Sequence, residues 1–595
     1  MYLSNIKLWN YRKFGSTIFS LSSPNLNLEF TEGLNVIIGE NDSGKTAIID
    51  AIKLVLKTHS YDYIRVEDED FFKDSLRFRI ELKFTALSDI EASHFTEWIG
   101  WDTCEDDKFI PYLRLIYDVS RTKERILPAD IRAGVDDEGY PLTAEAREYL
   151  KATYLKPLRD AKNELVAKRN SRLAQVLLGD EAFKGREETH ELLELFNKLN
   201  IDMTAYFGGE LTVKDDVESS QEGTKIKANI GKSVKSFCGP NVETEFSASD
   251  NTLKSILEKL SLGLEDEINL GLGTLNRLFM ATELLHLNKM NWTGLRLGLI
   301  EELEAHLHPQ AQMQVIEHLQ KQSDIQLILT SHSPNLVSKL ELKNLIVCHG
   351  GNAFPMGSKH TKLDEENYKF LDTTKANLFF AKGVIFVEGW SEEILLPSLA
   401  KLIATDLTAK GISIVNIGNT GFEHYARIYL REIRPYMTMP IAVVTDPDVR
   451  FYEKRGDSYF RRDEATINTE TIAKITELKL KNEQNIQYFP APSWTLEYSL
   501  LQSETLKEKF KIVLQSVHTR TEWQNGFEIE LGTKLINKVL KKTHIACKLA
   551  HTIDIDISKT EAEREIELYQ NDKHIGYLLD AIRYVAGESN NDNNG

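Results

Sequence analysis

The apolar run Leu34 to Ile38 ends in Gly39-Glu40-Asn41-Asp42-Ser43-Gly44-Lys45-Thr46, and apolar residues then recur at helical spacing through Ile48, Ile49, Ile52, Val55 and Leu56. A strand, a G-x-x-x-x-G-K-[ST] loop and a helix, in that order, are the parts of a phosphate-binding turn. Glycines let the backbone wrap so that its N–H groups point inward at phosphate oxygens. Lys45 brings positive charge to the β- and γ-phosphates, and Thr46 brings a hydroxyl to Mg²⁺. An α/β domain that binds ATP is the first expectation.

A loop of this kind needs acidic partners. About 250 residues later Leu297-Gly298-Leu299-Ile300 reads as a buried strand ending in Glu301 and Glu302. The first acid is placed to hold Mg²⁺ and the second to orient the attacking water. The next strand candidate, Ile325 to Thr330, ends in Ser331-His332-Ser333, where His332 is positioned to sense the γ-phosphate. Most acid pairs after a strand are solvated helix starts, and most lone histidines are structural; here the order of the pieces favours function. The wide separation of loop and acidic strand resembles the ABC-type heads of the SMC and RecF group. Asn10-Tyr11-Arg12-Lys13-Phe14 matches their N-terminal segment, whose Arg meets the nucleotide. Leu270-Gly271-Leu272-Gly273-Thr274-Leu275-Asn276 resembles their signature, glycines opening a helix that faces the phosphate held by a second protomer. That resemblance makes Gly271, Gly273 and Asn276 nucleotide contacts and implies a homodimer or higher homo-oligomer. No glutamine precedes Gln175, so the usual Q-loop residue is missing.

At 595 residues the chain is too long for one core, and roughly two to four domains are expected. No apolar run approaches the roughly 20 residues that span a bilayer. The N-terminus lacks a signal-peptide pattern, so a cytoplasmic location without membrane attachment is expected. The four cysteines form no C-x-x-C, which argues against a zinc module. The net charge of −18 argues against a nonspecific nucleic-acid coat but leaves room for a local basic groove.

The C-terminal third carries a second set of acids. Val384 to Val387 is a strand ending in Glu388 and Gly389, with Glu392 in the first turn of the next helix, and Ala442 to Thr445 is a strand ending in Asp446-Pro447-Asp448. In a parallel sheet, acids at the carboxyl ends of neighbouring strands meet along one edge. Such carboxylates repel unless divalent cations sit among them, and oxygen ligands suit Mg²⁺ or Mn²⁺. Strand-Glu-Gly followed by strand-Asp-x-Asp is the Toprim pattern. A Glu-Gly turn or an Asp-Pro-Asp turn alone is commonplace; order and strand context carry the reading.

An ABC-type head followed by a Toprim domain resembles the OLD (overcoming lysogenisation defect) family of nucleases over nearly the whole chain. The likeness includes Tyr154 to Ala161, Glu301-Glu302-Leu303-Glu304-Ala305-His306-Leu307-His308-Pro309-Gln310, and the motifs above. This chain has Leu303 and Trp390 where the family often has proline. The resemblance further implies that Glu497 is an additional metal ligand and that Lys573 stabilises charge on the scissile phosphate, although the family more often has glycine where His574 stands. It implies a DNA endonuclease gated by ATP and acting in phage defence, with a retron DNA–RNA or a helicase-like protein among the conceivable partners. The expected organisation is an ATPase part over 1–141, a helical dimerisation insertion over 142–200, a second ATPase part over 201–375, a Toprim nuclease domain over 376–587 and a disordered tail over 588–595. Two other readings stay open: a RecF-like DNA-clamping or sensing ATPase, and a topoisomerase-like enzyme that forms a tyrosine adduct.

Overall fold

The computed structural model describes the chain except residues 60–63, 104–108, 157–164, 166, 170, 181, 209–218, 239–242, 244–245, 247–251, 266–270, 288–292, 358–375, 419–420, 457, 524–525, 570 and 589–595. The expected stretch Pro157 to Ala161, the boundary near 375 and the tail from 589 lie outside the described residues. Among the described residues no helix is long and apolar enough to cross a membrane.

The strand Leu34–Gly39 is buried along its whole length, as its unbroken apolar character requires of a strand covered on both faces. It lies inside a six-stranded sheet, flanked by Gln326–Thr330 and Leu345–His349, with Leu297–Ile300 and then Thr153–Leu155 beyond Gln326–Thr330. All four of those pairings are parallel, so the strand ends that carry Gly39, Glu301 and Ser331 share one edge. The helix Lys45–Leu56 covers one face and contributes Ile48, Ile49, Ile52, Val55 and Leu56 to a core shared with an antiparallel seven-stranded sheet from the first 141 residues.

The expected helical insertion over 142–200 is corrected at both ends. Thr153–Leu155 is a strand of the head sheet, held by the ladder to Leu297–Ile300. The helical pair begins at Glu191–Gly208 and is completed by Ser219–Cys238, beyond residue 200. Helical spacing within 142–178 could not separate a three-residue edge strand from its helical neighbours.

The second parallel sheet has the order Ile412–Asn416, Gly383–Val387, Ile441–Thr445, Ile486–Pro490. The chain leaves Gly383–Val387 to one side and returns to its other side, so the gap between Gly383–Val387 and Ile441–Thr445 is the switch point where such sheets bind ligands. The helix Trp390–Leu402 packs on this sheet and on the helix Lys542–Ile557. After Ile412–Asn416 the chain forms only a short helix, Phe422–Ala426, and one tight turn, Arg427–Tyr429. Pro435 has no N–H to give a helix and disfavours helical geometry at Arg434. One apolar core runs through both halves, from Val36 and Leu329 of the head to Phe386, Val443 and Tyr488 of the second sheet.

Candidate functional sites

The phosphate loop closes as its sequence demands. Gly44 has φ 105°, and a Cβ there would lie 2.6 Å from the Phe14 ring, so glycine is required and the Asn10 to Phe14 segment packs directly on the loop. Lys45 is 5% exposed and donates to the Gly39 carbonyl at 3.0 Å and to the Glu40 carbonyl, its pKa lowered by burial. In front of the loop is a cavity of about 470 Å³ lined by Arg12, residues Asn41 to Thr46, Glu302 and His332. Residues from four separate parts of the sequence therefore face one space. Arg12 is held by Asp50 at 2.6 Å and Asp70 at 3.0 Å.

Glu301 is 4% exposed and is not among the residues that line this cavity. Its carboxylate accepts from the Tyr154 hydroxyl at 2.7 Å and from Thr46; burial raises its pKa against those hydrogen bonds. Glu302 is exposed, at φ 45°, with its backbone N–H held by Thr330 Oγ1 at 3.1 Å. His332 has its pKa lowered, by burial first and by Lys45 second, and its backbone N–H donates to Glu304. A neutral imidazole suits a sensor beside incoming phosphate.

Two residues without an assigned role in the sequence complete this site. Glu304 anchors the His332 turn. Tyr154, in the middle of the strand next to the acidic strand, donates its hydroxyl to the Glu301 carboxylate; Lys53 Nζ sits 3.8 Å over its ring. The signal for Tyr154 was its place in the motif Tyr154 to Ala161, but nothing in the sequence paired its short strand with Leu297–Ile300. The glycines of the signature open the helix Leu272–Leu287 as expected, and a Cβ at Gly273 would meet the His306 carbonyl at 2.8 Å. Asn276 departs from expectation. It is 1% exposed and donates to the Ala305 carbonyl at 3.1 Å, so it braces this helix on the acidic turn and is not presented to a nucleotide. Gly271 is exposed at the helix start.

The second site lies at the switch point. Glu388 accepts from Thr445 Oγ1 and, at 2.8 Å, from the backbone N–H of Asp446, which ties the two strand ends together. Burial raises the pKa of Glu388, and Asp448 at the rim raises it further. Glu392, 8% exposed, is pushed up to about 7 by burial and by Glu497. Asp446 is raised well above the usual carboxylate range by burial and then by Glu388, Glu392 and Glu497. These mutual effects place Glu388, Glu392, Asp446 and Glu497 in one electrostatic cluster, with Asp448 at its edge.

Lys542 is the cation of the cluster. It pairs with Glu497 at 2.9 Å, and although burial opposes its charge, Glu497, Asp446 and Glu392 raise its pKa. Lys573, expected to stabilise charge on the scissile phosphate, is exposed in the turn before the last helix, and the ion pair to the cluster comes from Lys542. Lys542 opens one C-terminal helix and Lys573 stands in the turn before the last one, and no local pattern in the sequence distinguishes one lysine there from another.

Among the described residues no three carboxylate, imidazole or thiolate groups form a ready-made metal cage. The donor set nonetheless fits divalent cations: among the described residues the oxygens of Glu497 have no hydrogen-bond donor apart from the Lys542 ion pair, and the hydroxyl of Tyr577, buried against the same four acids, has no partner. Crowded oxygens with raised pKa values and orphaned neighbours are what hard cations satisfy.

Residues 34–338 match the family model described as "AAA domain, putative AbiEii toxin, Type IV TA system". Residues 379–448 match "Overcoming lysogenization defect protein-like, TOPRIM domain". An "Endonuclease GajA" of Bacillus cereus is 23% identical over 444 residues, covering 71% of this chain and 72% of the relative. An "OLD nuclease" of Thermus scotoductus is 24% identical over 477 residues, covering 73% and 82%. Among solved structures, the C-terminal region of the Xanthomonas campestris pv. campestris OLD protein is 18% identical, covers 35% of this chain and 96% of that one, and has a TM-score of 0.22. An SMC head bound to the C-winged helix domain of ScpA is 14% identical, covers 59% and 97%, and has a TM-score of 0.34.

Proposed function

We propose a function for a chain that belongs to the AAA-domain ATPase family and carries after it a Toprim domain of the overcoming-lysogenisation-defect type: it is an ATP-regulated, divalent-metal-dependent DNA endonuclease that acts in defence against phage. The observation that carries the reading is the meeting of Glu388, Glu392, Asp446 and Glu497 at the sheet's switch point with Lys542 as their cation. Relatives named as endonuclease and nuclease support it.

Glu388, Glu392, Asp446, Asp448 and Glu497 would hold Mg²⁺ or Mn²⁺. When bound, such ions supply an activated water and an electrophile for the phosphate oxygens. The chain's own contribution is to hold that carboxylate set open. Thr445 and the Asp446 N–H fix Glu388, and the helix Trp390–Leu402 brings in Glu392. Lys542 is the residue we assign to charge stabilisation near the scissile phosphate, in the role the sequence suggested for Lys573. In the head, Arg12, the loop from Gly39 to Thr46, Glu301, Glu302 and His332 bind and turn over ATP. Glu40 supports coupling between the two: this loop residue lies 3.6 Å from both His349 and Lys382, and Lys382 immediately precedes the strand that ends in Glu388. A ligand that moves the loop therefore pulls on the lead-in to the second site. Homodimerisation through the helical pair is supported by its exposed Leu195, Leu199, Ile201, Ile226 and Ile230.

A DNA-clamping or sensing ATPase without nuclease activity is the second reading, and the lack of a ready-made cage among the described residues favours it. Supercoiled plasmid incubated with Mg²⁺ or Mn²⁺, with and without ATP, decides between them. The endonuclease produces nicked or linear DNA with free ends. Asp446→Ala lowers that rate by ~10³-fold and leaves ATP turnover intact; undiminished cutting by this variant would refute the site. Lys45→Ala changes the cutting rate by removing nucleotide, and an unchanged rate refutes the regulation.

A further inference from the structure

The strand that ends in Asp446 runs on into a β-hairpin, Tyr452–Arg455 paired with Ser458–Arg461, which begins four residues after Asp448. The register sets Tyr452 opposite Arg461, and alternation puts Tyr452, Tyr459 and Arg461 on one face. That face and three helices line a groove of about 500 Å³, whose lining includes Tyr459, Arg461, Lys507, Lys511, Phe527 and Glu528. The groove is tied to the acid cluster. The helix Leu496–Gln502 carries Glu497 into the cluster, and one turn later, about 6 Å along its axis, its Leu501 lines the groove. Phe451, at the hairpin's base, packs edge-on against Tyr498 at 4.8 Å between ring centroids.

Arg461, Lys507 and Lys511 stand here against Glu528 and against Glu508, which pairs with Lys511 at 2.7 Å, so three cations face two acids and the groove keeps a small positive balance in a chain of net charge −18. Glu528 holds Arg461 at 3.0 Å, and Asn537 accepts from the Tyr459 hydroxyl at 2.6 Å, so a guanidinium and an aromatic ring are fixed in place. Basic side chains with interleaved rings are the means by which proteins hold unpaired nucleotides: phosphates on the cations and bases on the ring faces. The volume accommodates a nucleotide or two and is too small for a duplex.

We propose that this groove holds an unpaired stretch of the DNA strand beside the cut, with Arg461, Lys507 and Lys511 taking its phosphates and Tyr459 and Phe527 its bases. The assignment rests on the endonuclease reading and narrows it to DNA with single-stranded or frayed character next to the scissile phosphate.

The test uses the full chain in EDTA, so that nothing is cut, with a short fluorescent single strand and the corresponding blunt duplex as probes. Wild type binds the single strand more tightly than the duplex. The pair Lys507→Glu with Lys511→Glu weakens single-strand binding by about tenfold or more and flattens the salt dependence by about 0.7 in slope per lost phosphate contact. Lys507→Arg with Lys511→Arg retains binding, and Tyr459→Leu weakens it about tenfold without changing the salt slope. Charge-reversed protein with a wild-type melting curve that binds the single strand normally overturns the proposal, as does equal binding of strand and duplex by wild type. Plasmid cutting is scored separately. If wild type does not cut while the charge reversals abolish single-strand binding, the endonuclease reading falls and the groove stands; if wild type cuts and the variants bind as before, the groove alone falls.

Discussion

The two sites are built on the same plan and left in opposite states of charge balance. Each sits at the carboxyl edge of a parallel sheet, with acids on strand ends and a helix starting beside them. In the head the strong charges come with partners: Arg12 lies between Asp50 and Asp70, Glu301 accepts from Tyr154 and Thr46, and Lys45 is folded onto its own loop carbonyls. In the second site four carboxylates share Lys542, three of them are driven toward protonation, and nearby polar atoms lack hydrogen-bond partners among the described residues. The first site is organised to receive an anion. The second is unfavourable as it stands, and that deficit is the source of its affinity for cations, because a ligand that relieves repulsion gains the relief as binding energy.

The contrast is sharpest in how stability depends on pH. Glu392 is pushed up to about 7 in the folded chain, against an unfolded value near 4.5. The folded state thus binds the extra proton between those values. The contribution is fully present below about 4.5 and is lost as pH rises through about 7, the reverse of a salt-bridged carboxylate. At about 1.4 kcal/mol per unit the loss is about 3 kcal/mol. Melting temperatures in EDTA should fall between pH 5 and 8, Mg²⁺ should remove the fall, and Glu392→Gln should make it shallower, the remainder coming from Asp446 and Glu388. A flat profile for wild type in EDTA would mean that the acids are not crowded and that the two sites do not differ as described.

Removing Lys542 tests the same contrast from the other side. Lys542→Met leaves the four acids without their cation. Breaking a fully buried ion pair costs about 3–5 kcal/mol. The Lys542 side chain is 46% exposed, so screening reduces the expected loss to about 1–2 kcal/mol. Denaturant titration should show that loss without divalent cation and little of it with Mg²⁺. Lys573→Met serves as the control: its side chain is exposed and it should change stability by less than about 0.5 kcal/mol.

What the sequence made legible follows the range of its signals. The phosphate loop, its helix and the strands ending in Glu301, Glu388 and Asp446 were readable because each is a contiguous apolar run whose polar tip follows directly. Parallel pairing then brought those tips to shared edges, as the strand–helix alternation required. The remainder depends on which distant segment packs where. Lys542 reaches the acids because the helix Lys542–Ile557 lies against Trp390–Leu402, about 150 residues away in sequence. Asn276 had the right neighbours for a nucleotide contact, but Gly273 lets its helix approach the His306 carbonyl so closely that Asn276 is spent on Ala305. Thr153–Leu155 is too short for periodicity to register at all.

The smallest expected effect belongs to Tyr154. Its hydroxyl donates to Glu301 at 2.7 Å, and Lys53 over its ring connects through Asp50, at 2.7 Å, to Arg12. The tyrosine therefore joins the acid expected to hold Mg²⁺ to the arginine that lines the nucleotide cavity. Tyr154→Phe keeps the ring and its cation and removes the hydrogen bond. A hydrogen bond to a charged group contributes about 1.5–3 kcal/mol, and Thr46 still donates to Glu301, so a loss near the low end is expected. That corresponds to about tenfold in ATP turnover, with nucleotide binding nearly unchanged because the loop from Gly39 to Thr46 is untouched. Steady-state turnover measured beside equilibrium binding of a fluorescent nucleotide separates the two effects. If binding falls as far as turnover, Tyr154 is holding the loop together. If turnover is unchanged, Glu301 is positioned without it, and the head owes its charge balance to Thr46 and the phosphate loop.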